Sequence, residues 1–130
     1  MRVFVDTAYF IARLKTRDQW HERAVEAAKG THEFVTSSLV INETISLVQC
    51  RGATSAALQF LTHTRANPAL QIIYPEPAIQ SLAWDLFHRW AGIGANGVDC
   101  VSFAIMQRFS IRKAFTFDAH FRVAGFDTLL

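Results

Sequence analysis

The sequence predicts an α/β fold in which helices cover both faces of a mostly parallel sheet. Short apolar runs typical of strands alternate with helix-like segments along all 130 residues. Strands that alternate with helices are joined by right-handed crossovers, which make the strands parallel and place helices on both faces. The chain is 51% hydrophobic and 18% charged, which is enough apolar material for a buried core. The length predicts a single domain over residues 1–130.

The first half of the chain predicts two strands and four helices. A capping-box spacing at residues 16–19 starts the second helix, and Gly30 ends it. Ser37 or Ser38 can cap the third helix. The predicted elements are a strand at 2–6, helices at 7–14 and 18–29, a strand at 33–36, and helices at 39–51 and 54–65.

The second half continues the alternation. Pro75 closes a strand at 70–74, and Pro77 suits the first turn of a helix that runs to about residue 91. Three glycines and an asparagine make 92–97 a loop. The remaining predicted elements are a helix at 98–109, a strand at 113–117, a helical turn from 118 and a short strand near 128–130.

Several classes of protein are excluded by composition. No stretch approaches the roughly 20 apolar residues that a membrane span requires. The N-terminal run reaches Asp6 too early for a signal peptide. Cys50 and Cys100 lack the spacing of metal ligands or of a CxxC motif, which indicates reduced thiols and a cytoplasmic protein.

Two acidic residues are predicted at strand ends. Asp6 ends the first strand, and Asp118 follows the strand at 113–117. Open α/β sheets bind ligands at the carboxyl ends of their strands, so both acids would lie at that edge. Aspartate also accepts a backbone N–H at helix N-caps, so each of them could instead cap the next helix.

Glu43 lies inside a predicted helix. Leu39 and Leu47 are four residues before and after it, so the three side chains share an apolar stripe. A carboxylate buried there needs a partner, a proton or a cation. Asp85 differs, because Arg89 four residues later offers an ordinary ion pair.

Asp99 has two interpretations. It lies three residues after Asn96, where a carboxylate completes a capping box and favours the helix dipole. Phe103 and Met106 also place it on an apolar stripe, which favours a functional role.

Converging carboxylates indicate a metal site. Four of them together would repel one another strongly without a cation, and Mg²⁺ and Mn²⁺ prefer such oxygen ligands. Ions of this kind assist phosphodiester hydrolysis. Zinc is disfavoured because the five histidines lack HExxH or similar spacing. Once the four acids are set aside, seven of the 11 acids remain against 13 basic residues, which favours a polyanionic substrate.

Four short segments occur in order along the chain: residues 3–7 (VFVDT), 37–43 (SSLVINE), 99–104 (DCVSFA) and 116–121 (TFDAHF). In this order and spacing they resemble the motifs of a PIN domain, and within that class the VapC-type toxins of bacterial and archaeal toxin–antitoxin pairs. The resemblance implies a three-layer α/β/α sandwich and an endoribonuclease that hydrolyses RNA with Mg²⁺ or Mn²⁺. It implies that the catalytic, metal-binding residues are Asp6, Glu43, Asp99 and Asp118. The family often has alanine where Cys100 follows the third acid here.

The resemblance also implies supporting residues and partners. Thr7 and Thr116 would be hydroxyls that hold the acids or a phosphate. Toxin members commonly form homodimers, and a small antitoxin inhibits them by inserting its tail into the site. The expected partners are therefore RNA, a small antitoxin and a second copy of the chain.

Four further residues are candidates for substrate contact. Arg13, Lys15 and Arg17 cluster in the turn between the first two helices, where they could contact RNA phosphates, although such turns are commonly only solvated. His120 closely follows Asp118, and an RNA base could stack there.

Two other functions fit parts of the sequence. A PIN-like module that binds nucleic acid without catalysis would keep the fold, but we would expect it to have lost some of the acids. Uptake of Mn²⁺ would distinguish the nuclease from this module. A phospho-acceptor or dehalogenase-like phosphatase also places acids at strand ends, but residues 6–8 (DTA) lack the second aspartate of the dehalogenase motif.

Overall fold

A five-stranded parallel sheet organises the chain. The computed structural model describes residues 1–30 and 32–129. The strands are β1 (Arg2–Val5), β2 (Glu33–Ser37), β3 (Leu70–Ile73), β4 (Lys113–Phe115) and β5 (Asp127–Thr128). Their order in the sheet is β3-β2-β1-β4-β5, and every neighbouring pair is parallel. The predicted α/β class and parallel sheet are confirmed.

Seven helices connect the strands. They are α1 (Thr7–Leu14), α2 (His21–Ala27), α3 (Ser38–Cys50), α4 (Thr54–Ala66), α5 (Pro77–Trp90), α6 (Gly97–Arg108) and α7 (Ala119–Val123), with a 3₁₀ turn at Ala91–Ile93. Among the residues described, no helix is long and apolar enough to cross a membrane.

The alternation of side chains along β1 builds a core on each face of the sheet. Val3 and Val5 point to one face, where they pack with Tyr9 of α1, while Phe4 points to the other face and packs with Phe103 of α6. Both cores need Val3, Phe4 and Val5 to be apolar, because a strand in the middle of a parallel sheet is buried on both sides. The result is the three-layer α/β/α arrangement.

The largest boundary difference from the sequence prediction is at α2. The predicted helix begins at residue 18, whereas α2 begins at His21. Asp18 Oδ1 instead accepts a hydrogen bond of 2.8 Å from the Trp20 backbone N–H, which forms a turn that competes with helix at these residues. At the end of the chain, β5 is Asp127–Thr128; residue 130 of the predicted strand lies outside the described residues.

The strand order determines where a ligand cleft can form. From β1 the chain proceeds to β2 and β3 on one side, and later to β4 and β5 on the other side of β1. The order therefore reverses between β1 and β4, and open α/β sheets bind ligands in the crevice beyond the carboxyl ends at such a switch point. Asp6 follows β1, and Asp118 lies three residues beyond the end of β4.

Candidate active site

A single cleft at the carboxyl end of the sheet collects all four acids singled out in the sequence. It has a volume of about 370 Å³ and is lined by Asp6, Glu43, Asp99 and Asp118. These residues come from the end of β1, from α3, from α6 and from the turn before α7. The fold thus brings together carboxylates that lie far apart along the chain.

Asp6 is the most deeply buried of the four acids. Asp6 is 4% exposed. Burial raises the pKa of its carboxyl to about 7, and the negative charges of Asp99 and Asp118 make smaller contributions in the same direction. Although it occupies the N-cap position of α1, its side chain accepts no capping hydrogen bond. Simple helix capping therefore does not explain this aspartate.

Thr116 holds Asp6 in the cleft. Its hydroxyl donates a hydrogen bond of 2.8 Å to Asp6 Oδ2 and accepts one of 3.0 Å from the Asp118 backbone N–H. One buried hydroxyl thus links two of the acids across a separation of 110 residues in sequence. The bond to Asp6 uses the only proton of the hydroxyl, so the orientation of that O–H is fixed.

Asp99 combines the two roles that the sequence left open. It forms a capping box with Asn96: Asp99 Oδ2 accepts the Asn96 N–H at 3.0 Å, and Asn96 Oδ1 accepts the Asp99 N–H at 2.9 Å. It is also buried and lines the cleft. Burial is the main cause that raises the pKa of its carboxyl, and the negative charges of Asp118 and Glu43 act in the same direction.

Asp118 caps α7 and approaches a histidine. Its Oδ1 accepts a hydrogen bond of 2.9 Å from the His120 backbone N–H. The ring atom His120 Nδ1 lies 2.9 Å from the same oxygen and 3.7 Å from Asp99 Oδ2. His120 therefore faces the acids, and the adjacent Phe121 is fully buried in the core.

Glu43 lies beside the core rather than in it. The buried face of α3 is formed by Val40, Ile41, Thr44 and Val48, while Glu43 is half-buried and lines the cleft together with Leu47. The predicted stripe of Leu39, Glu43 and Leu47 is only partly buried, since Leu47 is 38% exposed. Within the described chain Glu43 makes no hydrogen bond or ion pair, so its carboxylate is available to a ligand in the cleft.

The sequence profile of the PIN domain matches residues 3–127. The chain belongs to the PIN-domain family. The four acids and their cleft are thus part of a PIN domain, and the predicted fold family is confirmed.

This PIN domain is similar to a bacterial ribosomal-RNA endonuclease. The 23S rRNA-specific endonuclease VapC20 of Mycobacterium tuberculosis is 29% identical over 125 residues, which are 95% of each chain. The crystal structure of VapC20, described as a sarcin–ricin-loop-cleaving toxin, matches with a TM-score of 0.88 over 95% of both chains. The predicted class, a VapC-like nuclease that hydrolyses RNA phosphodiester bonds, agrees with the family and with this relative.

More distant structures share the fold. FitAcB from Neisseria gonorrhoeae is 17% identical and has a TM-score of 0.70, with coverage of 98% of this chain and 96% of the other. A toxin–antitoxin complex from Klebsiella pneumoniae is 14% identical and has a TM-score of 0.66, with coverage of 90% and 87%. At these identities the two structures support the PIN-domain architecture alone.

The donor set of this PIN domain fits a hard divalent cation. Ligand atoms of Asp99, Asp118 and His120 lie within 4.8 Å of one another, and the carboxylates of Asp6 and Glu43 line the same cleft as the two aspartates. Thr7 Oγ1 is buried and has no hydrogen-bond partner among the described residues, although buried hydroxyls are normally paired. PIN nucleases use divalent metals, and a carboxylate-rich cleft with an unpaired hydroxyl suits such an ion.

The predicted basic residues do not all reach this cleft. Arg13 donates a hydrogen bond of 3.3 Å to the Tyr9 hydroxyl and lines a separate hollow beside β2 and β3. Lys15 and Arg17 are exposed in the turn that leads to Asp18, a residue of the cleft wall. None of the three predicted basic side chains therefore lines the acidic cleft itself.

Two cleft residues escaped the sequence prediction. Arg51 lies eight residues after Glu43 and lines the cleft with it; the spacing of four between residues 43, 47 and 51 is the signal that could have identified it. Trp20 also lines the cleft and stacks on Phe117, with ring centroids 4.9 Å apart. No local pattern in the sequence indicates that Trp20 reaches the cleft.

Proposed function

We propose that this PIN domain is a Mg²⁺- or Mn²⁺-dependent endoribonuclease and the toxin of a toxin–antitoxin pair. The observation that carries the proposal is the convergence of Asp6, Glu43, Asp99 and Asp118 on one cleft at the switch point of the sheet. A binding module that had lost catalysis would have no reason to keep all four acids together, because their mutual repulsion and burial destabilise the fold.

The four acids would hold the cation, and Thr7 and Thr116 would support them. Asp99 and Asp118 are oriented by their capping hydrogen bonds, and Asp6 is oriented by Thr116. A divalent cation held there would supply Lewis acidity, which polarises a phosphoryl oxygen and an attacking water. The protein contributes the fixed carboxylate positions, because each acid except Glu43 is held by a hydrogen bond before any ligand arrives.

The walls of the cleft would bind the RNA. Arg51 is exposed and makes no ion pair within residues 1–30 and 32–129, so its guanidinium is available to a phosphate. The indole of Trp20 offers a ring on which a base can stack. Lys15 and Arg17 would extend the positive surface outside the cleft, and Arg13 and His120 complete the set of substrate candidates from the sequence.

The proposal extends to partners and substrate. VapC20 is named for 23S rRNA, so the sarcin–ricin loop is the first RNA to test, and a ribosomal substrate implies a cytoplasmic enzyme. A small antitoxin and a second copy of this chain are the proposed protein partners. We propose that residues 1–130 act as one domain.

Cleavage of a defined RNA hairpin tests the proposed function. Purified protein is expected to cut a sarcin–ricin-loop hairpin in Mg²⁺ or Mn²⁺ and to stop when EDTA removes the ion, because the acids alone repel a phosphate. A hairpin of scrambled loop sequence serves as the control for specificity. Undiminished cleavage in EDTA would contradict the proposed metal dependence. Failure to cleave any RNA would contradict the proposed ribonuclease activity.

Thr116→Val tests whether the shared hydroxyl positions the site. Valine has a similar shape but leaves Asp6 Oδ2 and the Asp118 N–H without their partner. We expect cleavage to fall by about 10- to 100-fold, the usual effect of removing a group that orients a metal ligand, and stability to fall by about 1–3 kcal/mol.

Thr64→Val is the matched control for this substitution. Thr64 is a buried threonine of α4 that lies outside the cleft, so its loss should leave the cleavage rate unchanged. Cleavage rates and urea unfolding are measured for both variants. Equal rates in the two variants would contradict a positioning role for Thr116.

A further inference from the structure

His120 lies beside two acids of the cleft, Asp99 and Asp118, without a hydrogen bond from its Nδ1 atom to either. Its Nδ1 atom is buried and has no hydrogen-bond partner among the described residues, although Asp118 Oδ1 is only 2.9 Å away. That oxygen already accepts the backbone N–H of His120 itself. The ring nitrogen is therefore close to two carboxylates without being directed at either as a hydrogen-bond donor.

The distances match neighbouring ligands of one metal ion. In an octahedral site with bonds of about 2.1 Å, adjacent ligand atoms are separated by roughly 3.0 Å and opposite ones by roughly 4.2 Å. His120 Nδ1 lies 2.9 Å from Asp118 Oδ1 and 3.7 Å from Asp99 Oδ2. Both separations fall near or within this interval, so the three atoms can face a common ion.

The rest of the imidazole is held by the loop before α6. Gly94 has a φ of +94°, and a Cβ there would lie 3.2 Å from His120 Nε2. A side chain at this position would crowd the imidazole ring, which is 32% exposed. With Nε2 against the loop, Nδ1 is the nitrogen that faces the acids.

We propose that His120 Nδ1 is a direct ligand of the catalytic ion, together with Asp99 and Asp118. This rests on the proposed function, because it assumes that a divalent ion is bound in the cleft. A nitrogen ligand among carboxylates shifts preference from Mg²⁺ towards first-row transition ions. The proposal therefore assigns Mn²⁺ rather than Mg²⁺ as the better-bound of the two ions.

Pulsed electron paramagnetic resonance of bound Mn²⁺ tests the ligand directly. The wild-type protein with one Mn²⁺ is expected to show a ¹⁴N coupling from a coordinated imidazole. His120→Asn places an oxygen donor close to the position of Nδ1, so it should keep Mn²⁺ but lose this coupling. His120→Ala should lose the coupling and weaken Mn²⁺ binding by roughly tenfold or more, with a smaller effect on Mg²⁺.

One control variant and two possible outcomes separate the role of His120 from the proposed nuclease activity. His63→Ala removes an exposed histidine of α4 and should leave both the coupling and the affinities unchanged. Mn²⁺ bound by the wild-type protein without any ¹⁴N coupling would overturn the role of His120 while leaving the nuclease intact. Failure of the wild-type protein both to bind Mn²⁺ and to cleave RNA would overturn the nuclease proposal as well.

Discussion

Replacing Asp6 by asparagine is expected to reduce RNA cleavage by at least about 100-fold. Loss of a residue that only orients a metal ligand typically costs about 10- to 100-fold, and Asp6 is proposed to be a metal ligand itself. Asparagine has the same shape, and its carbonyl oxygen can still accept the hydrogen bond from Thr116. The fold should therefore remain intact while one negative charge of the metal site is lost. Single-turnover cleavage at saturating Mg²⁺ or Mn²⁺ measures the effect.

Asp85→Asn is the matched control for this variant. Asp85 is an exposed aspartate of α5, away from the acidic cleft, so neutralising it should leave the cleavage rate unchanged. Equal losses in both variants would point to a general effect of surface charge on RNA binding. Wild-type activity in Asp6→Asn would contradict the metal site itself.

Local patterns predicted most of the fold. Helix α1 begins and ends at the predicted residues, Thr7–Leu14, because an apolar stripe and a preceding strand define it within one short segment. The predicted first residue of α2 was wrong because the Asp18 side chain forms a turn with Trp20. The spacing of apolar residues does not show that such a turn competes with the helix. Within residues 1–30 and 32–129, Asp85 and Arg89 do not form the expected ion pair. The Arg89 guanidinium lies over the Trp90 ring instead.

The acids of the candidate site could be selected from the sequence, but the hydrogen bonds and contacts that link them could not. Strand ends indicated Asp6 and Asp118, and strand order explains why both reach the same crevice. The bond between Thr116 and Asp6 spans 110 residues, so only the tertiary fold reveals it. The approach of His120 to Asp99 likewise depends on how α7 packs beside α6.

The burial of Asp6 should destabilise the metal-free protein as the pH rises from about 4 to about 7. The pKa of its carboxyl rises from 3.8 to about 7 on folding, so between these values the folded state binds a proton that the unfolded state has released. The free energy of unfolding must then fall as pH increases from about 4 to about 7, and level off above that range. The raised pKa of Asp99 acts in the same direction.

Comparing wild type with Asp6→Asn removes the ionisation of Asp6, while the Asp99 carboxyl is present in both proteins. The shift corresponds to about 4 kcal/mol in full, so in EDTA at pH 8 the asparagine variant should be the more stable, by an amount that shrinks towards pH 5. Saturating Mn²⁺ should stabilise wild type more than the variant, because the ion replaces the proton as partner of the carboxylate. Urea unfolding followed by tryptophan fluorescence at pH 5 to 8 measures both effects. A stability difference that stays constant across this range would mean that Asp6 ionises normally in the folded protein. Binding of the cation would then not compensate for a cost of burying its carboxylate.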